Sequence, residues 1–103
     1  MDLNTLSTID NRQKSRFELN DGADLLAFID YKIGKSGNWY LVHTEVVHKE
    51  GKGIGVKIVR ESLQILEDHD TKLVPTCPFV KAYIKKNVAT YRHLLADGVK
   101  LDD

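Results

Sequence analysis

The sequence holds a single cysteine, Cys77, so no internal disulfide forms and a disulfide-stapled secreted scaffold is excluded. Nor is there an excess of charge of one sign. Fifteen Lys and Arg face fifteen Asp and Glu, which argues against a general nucleic-acid binder, since such a protein needs basic residues to displace counterions from phosphates. No apolar run approaches the roughly 20 residues that span a bilayer, and no membrane partner is expected. The first fifteen residues mix Asp2, Asp10, Arg12 and Lys14 with scattered apolar residues, without the apolar block of a signal peptide, and the chain reads as cytoplasmic. His43, His48, His69 and His93 are spread apart, so no metal-ligand spacing is present. What remains is ordinary globular usage, 42% hydrophobic and 29% charged over 103 residues, which fits one small domain.

Residues 1–14 show no periodicity and read as a loose lead-in to a single domain over 15–103. From Arg16 the pattern sharpens. Arg16 to Leu19 is a short strand, Asn20-Asp21-Gly22 supplies a turn, and Ala23 to Ile33 alternates with Leu25, Ala27, Ile29, Tyr31 and Ile33 on one face. Gly34 to Gly37 turns the chain into Asn38 to Val47, where alternation puts Tyr40, Val42, Thr44 and Val46 on one face and Trp39, Leu41, His43, Glu45 and Val47 on the other. These segments make an antiparallel meander of three strands. After Gly55 the period changes to that of a helix, with Ile54, Ile58, Val59, Leu63, Ile65 and Leu66 on one half and Lys57, Arg60, Glu61, Gln64, Glu67 and Asp68 on the other. Leu73 and Val74 form a short strand ended by Pro75, and Pro78 opens a second helix, where its missing N–H costs nothing. The expected fold is a mixed α/β sheet: a three-strand meander, a helix, a parallel strand reached by a right-handed crossover, and a helix.

The most informative segment is Glu50-Gly51-Lys52-Gly53-Ile54-Gly55, between a strand and a helix. Alternate glycines let the backbone turn with its N–H groups exposed, and the helix N-terminus then favours an anion such as a phosphate. Lys49, Lys52 and Lys57 lie near enough to add charge. The plainer alternative is a tight strand-to-helix turn with no ligand. The spacing matches neither the nucleotide P-loop nor a dinucleotide fingerprint.

Three segments in order, His43-Thr44-Glu45-Val46, Gly51-Lys52-Gly53-Ile54-Gly55, and Val74-Pro75-Thr76-Cys77-Pro78-Phe79 followed by Ala82-Tyr83-Ile84, resemble the short single-domain N-acetyltransferase-like proteins of the GNAT superfamily. The resemblance covers about residues 15–95. It implies an acetyl-CoA cofactor, with the diphosphate bound by main-chain N–H groups of Gly51, Lys52, Gly53, Ile54 and Gly55. It places the pantetheine arm beside amides of Glu45, Val46 and Val47. Where that superfamily carries Arg or Gln at the head of the loop, this chain carries Glu50, an acid that weakens affinity for a diphosphate.

The resemblance implies an N-acetyltransferase moving acetyl to an amine, on a protein lysine or N-terminus or on a small molecule. Such a reaction needs a neutral amine, a polarised carbonyl and a proton for the leaving thiolate. His43 and Glu45 share a strand face and are candidate proton acceptors, the alternatives being a bonded sheet histidine and a solvated acid. By resemblance Tyr83 matches the helix tyrosine that protonates the CoA thiolate; by periodicity it is equally a core tyrosine paired with Phe79. Cys77 stands before Pro78 at a helix N-cap, where amides favour a thiolate, so it is either an acyl-accepting nucleophile or a small pocket-lining side chain. Lys81, Lys85 and Lys86 form a solvated helix face or meet the cofactor's 3′-phosphate. No acceptor-shaping helix separates the first two strands, which leaves that side open, and a homodimer would complete the pocket. The alternative function is a non-catalytic CoA-binding or protein-interaction module of the same fold; a small nucleotide-phosphate binder fits the glycine turn but leaves the Cys77 to Tyr83 segment without a role.

Overall fold

The computed structural model describes residues 2–47 and 53–101. The fold is mixed α/β. Thr8–Asn11 (β1), Arg16–Asp21 (β2), Asp24–Ile33 (β3) and Trp39–Val46 (β4) are followed by helix α1 at Ile54–Asp68, β5 at Leu73–Pro75, and helices α2 at Pro78–Lys86 and α3 at Val88–Tyr91. All five strands lie in one sheet in chain order, the first four antiparallel and β5 parallel to β4. The expected meander, crossover helix and parallel strand are therefore present. No described helix is long and apolar enough to cross a membrane.

The segment expected as a loose lead-in carries β1, an additional edge strand. Its register pairs Thr8 with Leu19 and Asp10 with Phe17, so the residues it turns toward the core are polar, while its one large apolar residue, Ile9, is half exposed on the opposite face. An alternation that runs against hydrophobicity leaves no periodic signal to read. Two long-range contacts hold the strand instead. The Thr8 N–H donates to Glu61 of α1 at 2.9 Å, and the Tyr31 hydroxyl donates to Asp10.

Helices α1 and α2 pack on one face of the sheet. There Phe17, Leu19, Ala27, Ile29 and Leu41 meet Ile58, Val59, Leu63 and Leu66 of α1 and Val80 and Ile84 of α2, all effectively without exposed surface. Each fully buried side chain of this size contributes roughly 1.5–3 kcal/mol. The helical wheel is right about this stripe except at two positions. Ile65 is only partly buried, and Lys57, placed on the polar half, is 7% exposed with its ammonium 2.8 Å from Glu61.

The simple alternation expected along β4 is broken by a bulge. Asp30 pairs with His43 and Tyr31 with Leu41, so Val42 is an extra residue with no partner in β3. Upstream of it Trp39 and Leu41 face the core; downstream Thr44 and Val46 do, and His43 and Glu45 turn to the opposite face. That face is polar. One cross-strand row runs Ile9, Glu18, Phe28, Glu45, and the next runs Asn11, Arg16, Asp30, His43. No described helix covers these rows.

Candidate functional site

β4 and β5 run together for only three residue pairs, Trp39 to Leu41 against Leu73 to Pro75. At the end of that pairing the Leu41 carbonyl accepts both the Thr76 hydroxyl at 3.0 Å and the Cys77 N–H at 2.8 Å, and Pro78 then carries the chain into α2. β4 continues to Val46 without a β5 neighbour. The Val47 N–H donates to Leu26 of β3 at 2.8 Å, so alternation turns the main chain of Glu45 and Val47 toward β3 and that of Thr44 and Val46 toward the free edge. Of the three residues expected to offer amides to an extended ligand, Val46 faces that edge, and Thr44 joins it.

The start of α1 lies beside this edge. Gly53 is its N-cap with φ +84°, a left-handed conformation that glycine adopts without steric cost. The cap carries no side-chain hydrogen bond and the first turn holds no acid, so among the described residues no side chain accepts from the leading amides of Ile54 and Gly55. Gly55 serves a different need. A Cβ there would stand 2.8 Å from Phe79 Cζ and 3.5 Å from Val46 Cγ2, so its small size lets α1, α2 and β4 converge. Lys49, Glu50, Gly51 and Lys52 lie outside the described residues. Lys57, considered as a charge for the turn, is already neutralised by Glu61. Burial pushes the Glu61 carboxyl up, but hydrogen bonds from Lys57 and from Thr8 outweigh it and hold the group below its ordinary value.

The candidate reactive side chains fall on two sides of β4. On the helix side Cys77, 3% exposed at the N-cap of α2, has its Sγ 3.2 Å from the Thr44 hydroxyl. Tyr83 lies further along the same helix, half-buried, and its partner is Tyr91 of α3, with hydroxyls 3.4 Å apart, rather than Phe79. Phe79 sits across Gly55 and keeps 43% of its surface exposed. On the open side His43 Nε2 and Glu45 Oε1 are 3.2 Å apart, with the Phe28 ring edge-on to the imidazole. Arg16 is drawn over Phe28 and onto Glu18, leaving the His43–Glu45 pair exposed.

Sequence reasoning passed over Thr44, Tyr91 and the Val42 bulge as parts of the site. The one visible signal was a lone hydroxyl, Thr44, between Val42 and Val46. Among the described residues no group of three or more His, Cys, Asp or Glu is placed to hold a metal. Two shallow cavities of about 400 and 450 Å³ lie elsewhere, along the C-terminal segment; Lys85 lines one and Lys81 the other.

A family model described as GCN5-related N-acetyl-transferase matches residues 16–94, from the first residue of β2 to the turn after α3. The chain belongs to this family. Membership points to acyl transfer as the general activity. β1 lies outside the matched residues. No curated protein matches the chain.

Proposed function

We propose that the chain transfers acetyl from acetyl-CoA to an amine. The observation that carries this reading is the edge of β4 at Thr44 and Val46, beyond the end of its pairing with β5, set beside an α1 N-terminus whose leading amides have no side-chain acceptor among the described residues. The fit is chemical. An extended amide-bearing arm pairs with a strand edge, and a diphosphate suits uncapped helix amides. When bound, acetyl-CoA supplies an acetyl group activated as a thioester. The chain's residues do the rest: the main chain at Thr44 and Val46 orients the arm, His43 or Glu45 takes a proton from the amine, and Tyr83 gives one to the departing sulfur. The thiol of Cys77, bound to Thr44, lines the pocket, since direct transfer needs no protein nucleophile. The uncovered sheet face beside His43 and Glu45 leaves room for a lysine or N-terminus of a protein as readily as for a small amine.

Two measurements test the reading. Saturating acetyl-CoA raises the melting temperature by about 5 °C or more. Val56, 45% exposed in the first turn of α1, provides the control: Val56→Glu sets a negative charge by the diphosphate and abolishes the shift while leaving the unliganded melting temperature close to wild type. Mass spectrometry after incubation with acetyl-CoA and lysine peptides detects the acetylated product. No shift at millimolar acetyl-CoA defeats the reading; a shift with no product from any amine leaves a CoA-binding module without catalysis.

A further inference from the structure

Tyr83 and Tyr91 meet across the break between α2 and α3. Asn87 makes that break: its N–H donates to the Ile84 carbonyl at 3.0 Å and its side-chain amide to the Tyr83 carbonyl at 2.9 Å. The two rings come to rest tilted, with centroids 5.7 Å apart and hydroxyls 3.4 Å apart. Tyr91 is 9% exposed, and among the described residues its hydroxyl has no polar partner other than Tyr83. Either hydroxyl of the pair can be the donor. When Tyr91 is the donor, the Tyr83 oxygen receives the hydrogen bond and its own proton is left to point elsewhere.

We infer that Tyr91 is a positioning residue for Tyr83, fixing the direction of its phenol and donating a hydrogen bond to the phenolate that remains once Tyr83 has given up its proton. The inference rests on the acetyltransferase reading above. In the transfer the acceptor nitrogen forms a C–N bond, the thioester C–S bond breaks with its electron pair passing to sulfur, and Tyr83 gives its proton to that sulfur. The amine proton leaves through His43 or Glu45 to water, and Tyr83 regains a proton from water. Burial first, and then the Tyr83 hydroxyl, push Tyr91 up to about 12, so it stays a neutral donor throughout. The charged groups that face Tyr91 are Arg60 and Glu67 of α1, and Glu67 is itself 3.2 Å from His93.

The test has one arm without cofactor and one with it. In urea unfolding of the unliganded protein, Tyr83→Phe and Tyr91→Phe are non-additive, because each removes the same hydrogen bond. In turnover, Tyr91→Phe lowers kcat about tenfold with the KM for acetyl-CoA within about twofold, displaces the alkaline limb of the kcat profile to higher pH, and has no further effect in a Tyr83→Phe background. Additive unfolding effects, an unmoved alkaline limb, or independent multiplicative losses of kcat each overturn the role of Tyr91 while leaving the acetyltransferase reading intact. A wild-type chain that binds acetyl-CoA and acetylates nothing overturns that reading, and this inference with it.

Discussion

The two faces of the sheet carry out different tasks with the same five strands. The covered face is a continuous apolar layer against α1 and α2, and it holds the residues that lose all exposure. The open face, one residue over in every strand, is a lattice of Arg16, Glu18, Asp30, His43 and Glu45 around the Phe28 ring. Each face nevertheless contains one ion pair with limited exposure, Lys57–Glu61 on the covered side and Arg16–Glu18 on the open side. Stability is concentrated where apolar area is buried, whereas a face left to water keeps side chains free for a substrate.

That contrast breaks most easily at Leu19, fully buried on the covered face. Leu19→Ala is expected to cost about 3 kcal/mol by urea unfolding, since it combines lost transfer energy with a cavity; a loss below about 1 kcal/mol would mean the layer is not close-packed. Next is Glu61→Gln, which leaves the Lys57 ammonium without its anion and weakens the anchor on Thr8, at a cost of about 2 kcal/mol. Its failure to destabilise would show that the Glu61 contact contributes nothing to holding β1.

The ion pairs also set the response to acid. For Glu18, burial raises the carboxyl, but hydrogen bonds from Arg16, Asn20 and Asn11 together hold it below the ordinary value. A carboxyl lowered by folding stabilises the protein above its unfolded titration range, and that contribution is lost as pH falls through the folded value. Glu61 behaves alike. Unfolding free energy should therefore fall on acidification below the ordinary carboxylate range, and the slope should flatten in Glu18→Gln and in Glu61→Gln. The smallest structural effect belongs to His43→Ala on the open face, within about 0.5 kcal/mol of wild type. If His43 is the proton acceptor, acetyl transfer falls in that variant while acetyl-CoA binding is unchanged, and that separation of stability from turnover sharpens the contrast between faces.

Legibility in the sequence followed the same division. Much of the covered side was readable because periodicity reports burial directly: Ala27, Ile29 and Tyr31 alternate into the core, Ile54 to Leu66 repeat with a helical period, and Pro78 marks a helix start; the alternation expected of β3 fails at its ends, where a bulge buries Leu26 in place of Leu25 and Ile33 is half exposed. β1 was not, since its inward residues Thr8 and Asp10 are polar and the contacts that anchor them, to Glu61 and Tyr31, lie 53 and 21 positions away. The bulge at Val42 escaped for a related reason. Val42 fits either face of a strand, and only the register against β3 shows that the chain gains a residue there. Lys57 was misplaced because a wheel assigns a lysine to water, while Glu61 one turn away lets its ammonium stay inside.

From the amino-acid order alone came the succession of meander, helix, parallel strand and helix, the glycine-led start of α1, and the residues with chemistry to offer, because these depend on local spacing, backbone freedom and side-chain type. Which candidates meet was decided only by the assembled chain. His43 and Glu45 share a face by alternation alone, but the bulge decides that it is the open one; Cys77 reaches Thr44 because β5 ends three pairs after it begins, and Tyr83 reaches Tyr91 across the break at Asn87. The last two contacts join residues through the packing of whole elements, and no local rule encodes a distance that two other elements set.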